Sequence, residues 1–405
     1  MINNVQWLEL SKFMIKSFYT PQEWFSSDRN VIGIMTGTSV DSVDITLAKF
    51  SGSESKKFLF TILHYANYPL PENIKTVIEL AIANEATTRV IAKLNFELAY
   101  FFVDTIKDFL KSNNIRHEKV DAIGVHGQTV WHEPIRENNS KYGYSLQLVS
   151  LATMAQHLKI PVVGDFRSKD IAVGGEGAPL VPIFDYEFFS SKENEVIMLN
   201  IGGIANITFL PKNTNIDDVI AFDTGPGNVL VDGAMKLLFN QNMDKDGAVA
   251  RRGKLNIPLF NELKTCPFVR RKPPKSTGRE YFNRQFLQQI LDFAKGKHIP
   301  FEDIISTLTH FTAWSVSENI RLFANPGCKT IVSGGGAKNS FLMELLRIYL
   351  PEAEILSSNE VGIPVEAKES LAFAFLAYLR MGELPSNIPN VTGARERVSL
   401  GIIAT

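Results

Sequence analysis

The chain has 405 residues, more than one hydrophobic core normally organises, so two domains are expected. Its formal net charge of −1, with 45% hydrophobic and 21% charged residues, gives no basic field for nucleic acid or an anionic membrane. The two cysteines, Cys266 and Cys328, have no metal-ligand or redox spacing, which excludes a disulfide framework and fits a reducing cytoplasm. In chain order, residues 1–30 come first, and Glu9, Ser11, Lys12 and Lys16 interrupt any signal-peptide core. Val5, Leu8, Phe13 and Ile15 can line one side of a short helix, so an N-terminal helical extension packed on the body is expected; a membrane- or partner-binding helix is the alternative. No apolar run reaches the roughly 18 residues needed to span a bilayer.

"VIGIMTGTSVDSVDITLAKF", Val31–Phe50, then reads as two β-branched arms around a small polar tip. A third strand is expected near Phe58–Tyr68, followed by helices in "PENIKTVIELAIA" and "TTRVIAKLNFELAYFFVDTIKDFLKS", whose apolar residues recur at helical spacing. "VDAIGVHGQTVW" and "IPVVGDFR" are apolar strands ending in polar clusters. Apolar strands separated by helices predict a mainly parallel α/β sheet, with a site beyond the strands' carboxyl ends.

From Val196 to Leu210, "VIMLNIGGIANITFL" repeats the opening pattern of strand, glycine-bearing tip and strand. "VIAFDTGPGNVLVDGAMKLLF" reads as strand, glycine turn and helix, and "KTIVSGGGAKNSFLMELLRIYL" as strand, triple glycine and helix. Two glycine-tipped hairpins, one opening each half, predict an internal duplication. The expected fold class is α/β, with two similar lobes of mixed sheet flanked by helices. The expected divisions are an extension over 1–30, a first lobe over 31–194 and a second over 195–405, with the C-terminal tail able to cross back.

Glycines let backbone amides approach phosphate closely. In the first tip Gly37, Thr38 and Ser39 supply amides and hydroxyls, and Asp41 and Asp44 make sense beside phosphate if Mg²⁺ intervenes, with Asp41 the better metal candidate. In the second tip Gly202 and Gly203 offer amides, with Asn200 and Asn206 beside them. Gly334, Gly335 and Gly336, with Asn339, are placed to hold an adenosine or an α-phosphate. Each glycine tip alone is also ordinary turn chemistry, and no Walker loop occurs; the combination points to a nucleotide.

These features resemble the sugar kinase, Hsp70 and actin superfamily, an actin/hexokinase-like, ribonuclease H-like fold with ATP in a cleft between lobes. Within it "GTSVDSVD", "HGQTVWHEP", "VVGDFRSKDIAVGGEGAPLVP", "LNIGGIANI", "FDTGPGNVLVD", "KSTGREYFN", "VSGGGAKN" and "NVTGA" resemble the 1,6-anhydro-N-acetylmuramic acid kinase family, from Val31 to the C-terminus. The resemblance implies that water opens the 1,6-anhydro ring at the anomeric carbon and that O6 takes the γ-phosphoryl of ATP. The product is N-acetylmuramic acid 6-phosphate, in recycling of peptidoglycan fragments in the cytoplasm. ATP and Mg²⁺ are the implied cofactors, a small anhydro amino sugar the partner, and a homodimer is suggested.

Asp223 matches the family's general base, and its place after an apolar strand agrees; the alternative is an N-cap for the helix starting near Asn228. Glu369 matches a second carboxylate near the sugar, which periodicity alone leaves as a helix-surface residue. Gln128, Thr129, Glu133, Arg167 and Asp170 are the implied substrate contacts. Arg167 can read a lactyl carboxylate or pair structurally with Asp165 or Asp170. His126 and His132 are expected to orient neighbours, and Lys275, Thr277 and Arg279 match a positive loop near ATP or sugar. Three departures stand out: Ser42 where the family usually has glycine, Glu176 where it has glutamine, and no "IGD"-like turn in "SLQLVSLATMAQHL". The rival readings are a levoglucosan-type anhydrosugar kinase, disfavoured by the "HEP" ending, and a weakened nucleotide-binding regulatory homologue.

Overall fold

The structure is a computed structural model that describes residues 19–37, 40–135, 142–277 and 281–405. The expected helix near Val5–Ile15 therefore lies outside the described residues, as do Thr38, Ser39 and Arg279. In chain order the strands are β1 (Arg29–Thr36), β2 (Ser42–Ser53), β3 (Lys56–Pro69), β4 (Ala122–Val125), β5 (Gln128–Glu133), β6 (Tyr144–Leu148), β7 (Val162–Gly164), β8 (Val196–Ile201), β9 (Ile204–Leu210), β10 (Ile220–Pro226), β11 (Lys329–Ser333), β12 (Glu354–Ser357) and β13 (Ile402–Ala404).

The chain divides into two units, one of residues up to Phe184 plus Glu369–Thr405, the other Asp185–Lys368. The expected boundary at 194/195, in the polar "SSKENE" of residues 190–195, lies inside the second unit, and the tail from Glu369 belongs to the first. In the first unit the sheet order is β13-β7-β4-β1-β2-β3, and in the second β10-β9-β8-β11-β12. In both, an antiparallel meander of three strands (β1–β3, β8–β10) continues through its first strand into two parallel ones (β4 and β7, β11 and β12). The duplication read from the two glycine tips is thus a repeat of whole sheets.

Pattern explains which faces are buried. In β1 Ile32 and Ile34 point to one face, where they meet Leu94, Leu98, Phe102, Ile106 and Phe109 of helix Thr88–Ser112, a helix-spaced row. Gly33 points to the opposite face, and its parallel neighbour is Gly124 of β4. A methyl on Gly33 would lie 1.8 Å from the Ser370 carbonyl, and one on Gly124 2.2 Å from that of Phe373. The two glycines therefore clear a flat patch on which helix Ala367–Met381 rests backbone to backbone. The Ser370 hydroxyl is 2.6 Å from that of Thr46, so the helix's first turn is pinned to β2. A short helix, Pro21–Trp24, opened by a Thr20–Glu23 capping box, precedes β1, and the Trp24 indole donates to the Tyr378 carbonyl at 2.9 Å.

In the second unit β8, buried almost throughout, packs with helices Phe301–Ile320 and Ser340–Tyr349 through Ile197, Leu199, Ile207, Val316 and Leu346. The Lys368 ammonium lies 2.9 Å from Asp185 Oδ1 and the Thr208 hydroxyl donates to Oδ2 at 2.9 Å, with both charged side chains buried. Taking two charges from water is costly, and removing one partner leaves the other uncompensated. Lys368→Met is expected to lower the unfolding free energy by about 3 kcal/mol or more, read from urea denaturation. A loss under about 1 kcal/mol, the range of exposed pairs, would contradict it. No helix of the described residues is long and apolar enough to cross a membrane.

Candidate active site

β4 and β7 lie side by side and parallel, so the residues following them emerge at one edge of the first unit's sheet. His126 follows β4 and Arg167 follows β7. The Arg167 guanidinium donates to His126 Nε2 from Nη2 at 3.0 Å and from Nε at 3.3 Å, and from Nη1 to the Gly177 carbonyl at 3.3 Å. His126 Nδ1 is 2.8 Å from the Gly127 carbonyl. A carbonyl only accepts and a guanidinium only donates, so Nδ1 carries the ring proton and Nε2 the lone pair. Burial first, then the Arg167 charge, pulls His126 down to about 3, so the ring is neutral at working pH. His132 is pulled down to about 4 by the same two causes. Burial brings Arg167 down to about 10, opposed by the charge of Glu369, and it stays cationic at neutral pH.

Glu369 is half-buried in the first turn of helix Ala367–Met381, one residue before the pinned Ser370. The positive end of the helix favours its carboxylate, and the Gly33–Gly124 patch sets its place. Sequence reading passed over that patch, although glycine in both apolar runs, "VIGIM" and "AIGV", was its signal.

The structural pairing weighed for Arg167 is not what holds it. Asp165 accepts from the Ser168 hydroxyl at 2.5 Å. Asp170, fully buried, accepts from the Gly177 amide, the Asn387 side chain and the Thr392 hydroxyl, each at 2.8 Å. Asp170 thereby fixes the Gly175–Gly177 loop whose carbonyl holds Arg167. Gln128 is buried beside His126, its amide nitrogen donating to the Thr129 carbonyl at 3.1 Å. The stretch expected as a polar strand end is itself β5, paired with β6 in a separate ribbon. Thr129 there accepts from Gln147 at 3.4 Å, and Glu133 accepts from the Trp131 indole at 3.1 Å. Helix Leu151–Leu158 starts two residues after β6, with Ser150 at its N-cap.

In the first tip Asp41 is exposed and pairs with Lys75 at 3.1 Å. Asp44 accepts from Tyr65 at 2.7 Å and Asn67 at 2.9 Å, which makes it part of the β2–β3 pairing. Ser42 begins β2, opposite Pro69, and accepts from Asn67. Ser42 is not among the residues of positive φ; Val40 is, at φ 58°, a costly place for a β-branched residue, held by core packing. Gly37 supplies the carbonyl for the Val40 amide at 3.2 Å.

In the second unit Asp223 lies within β10, at a bulge between Asp223 and Gly225, which excludes the N-cap alternative; Asn228 holds that position for helix Val229–Phe239. The Thr277 amide donates to Asp223 Oδ2 at 2.8 Å, and the Asp223 amide donates to the Lys275 carbonyl at 3.2 Å. Lys275 is turned inward rather than toward a ligand. Its ammonium donates to the Phe268 and Val269 carbonyls at 3.1 Å each and lies over the Phe268 ring. Burial pulls it down to about 8, with Asp223 opposing. The loop that orients Asp223 is thus anchored by a buried lysine. Beneath the "DTGPG" turn, Thr312 donates to the Gly227 carbonyl at 2.8 Å and Asn319 to that of Thr224 at 3.1 Å, while Ser315 lies against Gly225. These three share one face of helix Phe301–Ile320, a polar row at i, i+3, i+7 that sequence reading missed.

The second tip is tied to that turn. The carbonyls of Gly202 and Gly203 accept from the amides of Asn228 and Gly227, each at 2.8 Å. A methyl on Gly202, Gly203 or Gly335 would meet no protein atom closer than 3.7 Å, so packing does not demand glycine at these three. Gly334, with φ 77°, would place a methyl 2.4 Å from Asn200 Oδ1, and Gly336 one 2.4 Å from Ile201. The triple glycine leads into a 3₁₀ turn, Gly335–Lys338, and Asn339 caps the following helix by accepting from the Leu342 amide at 2.9 Å. Among the described residues no three His, Cys, Asp or Glu cluster as a self-sufficient metal site.

The family model for anhydro-N-acetylmuramic acid kinase matches residues 29–405. A relative of that name from Francisella tularensis subsp. novicida is 40% identical over 382 residues, covering 92% of this chain and 97% of its own. Another, from Clostridioides difficile, is 38% identical over 376 residues with the same coverage of both chains. Among solved structures, the activator of 2-hydroxyisocaproyl-CoA dehydratase from Clostridium difficile with bound ADPNP aligns over 87% of this chain and 95% of its own, with TM-score 0.43 at 9% identity.

Proposed function

The chain belongs to the anhydro-N-acetylmuramic acid kinase family, and from that premise we propose how its residues divide the work of opening and phosphorylating 1,6-anhydro-N-acetylmuramic acid. Water adds to the anomeric carbon as the C1–O6 bond breaks, Asp223 takes a proton from that water, and O6 attacks the γ-phosphorus of ATP as ADP leaves. The observation that carries this reading is the bulge in β10. It holds one carboxylate oxygen of Asp223 on the Thr277 amide, which fixes the base before substrate arrives. Glu369 is the second carboxylate at the sugar. Arg167, cationic and unpaired with Asp165 or Asp170, reads the lactyl carboxylate, with Gln128 beside it.

The room at Gly202, Gly203 and Gly335 supports nucleotide binding, because a side chain there would fill space that a phosphate or adenosine needs. Gly335→Ala is expected to raise KM for ATP about tenfold with folding stability unchanged. Gly334→Ala, at positive φ and against Asn200, is expected to lose stability as well. Calorimetric ATP titration and thermal unfolding separate the two; equal stability losses would contradict the assignment.

Mg²⁺ supplies charge neutralisation to the phosphates, and Asp41, exposed and already facing a cation, is the residue that would hold it, since Mg²⁺ commonly uses one or two carboxylates plus phosphate. Gly37, Thr38 and Ser39 are the expected phosphate contacts of the first tip. The use of ATP and two free buried thiols support a cytoplasmic location, and the resemblance supports a homodimer. The reading is tested by comparing kcat/KM for 1,6-anhydro-N-acetylmuramic acid and for levoglucosan. A clear preference for the muramyl sugar is expected; preference for levoglucosan, or ATP binding with neither sugar phosphorylated, overturns it.

A further inference from the structure

We propose that His126 is a positioning residue for the sugar site: a neutral imidazole, fixed in its Nδ1–H form by the Gly127 carbonyl, whose Nε2 lone pair aims the Arg167 guanidinium at the substrate's carboxylate. The proposal rests on the reading of Arg167 as the lactyl contact. Four observations carry it. First, Asp165 and Asp170 are engaged at Ser168 and at the Gly177 loop, and Glu369 acts on Arg167 through its charge, so the side-chain acceptor that aims the fork is the imidazole. A guanidinium held by carboxylates on its inner side would have its charge compensated before substrate arrived. A neutral acceptor directs the fork without cancelling it. Second, the ring accepts two guanidinium N–H groups, at 3.0 and 3.3 Å, on a single nitrogen. Third, that nitrogen is the acceptor because the other one meets a carbonyl at 2.8 Å. Fourth, the ring has no room to turn: His126 is 4% exposed and packs on Phe373 of helix Ala367–Met381 with ring centroids 4.8 Å apart. That helix also carries Glu369, so one rigid element fixes the histidine and the second carboxylate.

Arg167 also uses the Gly177 carbonyl, which Asp170 holds in place through the Gly177 amide. His126 and the Asp170 loop thus grip Arg167 from two sides. The imidazole is the side whose loss changes aim without leaving a buried charge.

The test compares His126→Leu, His126→Gln, Arg167→Leu and the double His126→Leu/Arg167→Leu variant in the full chain. His126→Leu is expected to raise KM for 1,6-anhydro-N-acetylmuramic acid about tenfold while KM for ATP changes less than about twofold. Glutamine can offer an acceptor to Arg167 and a donor to Gly127, so His126→Gln is expected to recover KM to within about threefold. The double variant is expected to be no worse than Arg167→Leu, because the two residues act as one unit. An unchanged sugar KM in His126→Leu, or additive losses in the double variant, overturns the proposal while the lactyl reading of Arg167 stands. If Arg167→Leu itself leaves sugar KM unchanged, the lactyl reading has failed and the proposal with it. ¹⁵N spectra of the wild-type imidazole need no variant to fold: an Nδ1–H, Nε2-acceptor ring from pH 8 to 5 is expected, and the opposite tautomer overturns the assignment.

Discussion

Asp223→Asn is expected to lower kcat by about 10³-fold and to leave ATP binding within about twofold. The substitution keeps shape. An asparagine oxygen can still accept from the Thr277 amide, and the Asp223 amide still donates to the Lys275 carbonyl, so the loop stays in place. In the proposed mechanism what disappears is the proton acceptor for the attacking water, and an amide cannot replace it. Lys275 supplies an internal control. The Asp223 charge is the largest effect opposing burial at its ammonium, so removing that charge lowers the Lys275 pKa further below its value of about 8. The structural cost stays small, because Lys275 keeps its two carbonyl acceptors. Rapid-quench measurement of ADP formation, with ATP titration in parallel, checks both halves. Turnover within tenfold of wild type would remove Asp223 as the base.

Glu369→Gln is expected to lower kcat by about 10²-fold with a smaller change in the unfolding free energy. Its carboxylate is placed by backbone packing, the Gly33–Gly124 patch and the Thr46–Ser370 contact, and none of these depends on the charge of Glu369. The side chain is also half-exposed, so water softens the loss of its ionic contribution. Its charge opposes the effect of burial on Arg167, and the amide would leave Arg167 more weakly compensated though still cationic. The profile therefore differs from that of Arg167 itself: turnover falls more than sugar affinity. Steady-state kinetics with the muramyl sugar decides this, and an unchanged kcat with raised KM would make Glu369 a binding residue only.

Much of this arrangement is legible in the sequence because strands and tips have strong local signals. The alternating arms around "GTSVDSVD" and "NIGGIAN" give both meanders, and the apolar rows in "TTRVIAKLNFELAYFFVDTIKDFLKS" give the helix that covers the first sheet. The boundary was less legible. The chain leaves the first unit at Phe184/Asp185 and returns at Lys368/Glu369, inside helices Pro182–Phe189 and Ala367–Met381, where composition does not change. A polar stretch such as "SSKENE" reads as a linker only because loops and linkers share a composition. Lys275 shows another limit: a lysine in a "KSTG" loop reads as a ligand group, and only tertiary packing turns it onto the Phe268 and Val269 carbonyls. Asp170 and Asn339 are similar, since spacing shows a polar side chain near a site without showing which amides it already holds. Ser42 stands out in the sequence as a serine at a glycine position, yet the positive φ lies at Val40, two residues earlier.

The most direct measurement is the mass and label of the product formed from 1,6-anhydro-N-acetylmuramic acid, ATP and H₂¹⁸O in a single turnover. A product carrying one added water, ¹⁸O at the anomeric carbon and the phosphoryl group on O6 is predicted, and with Asp223→Asn both additions slow by about 10³-fold. A phosphorylated sugar with the anhydro ring intact, or a ring opened at the wild-type rate without Asp223, would contradict it.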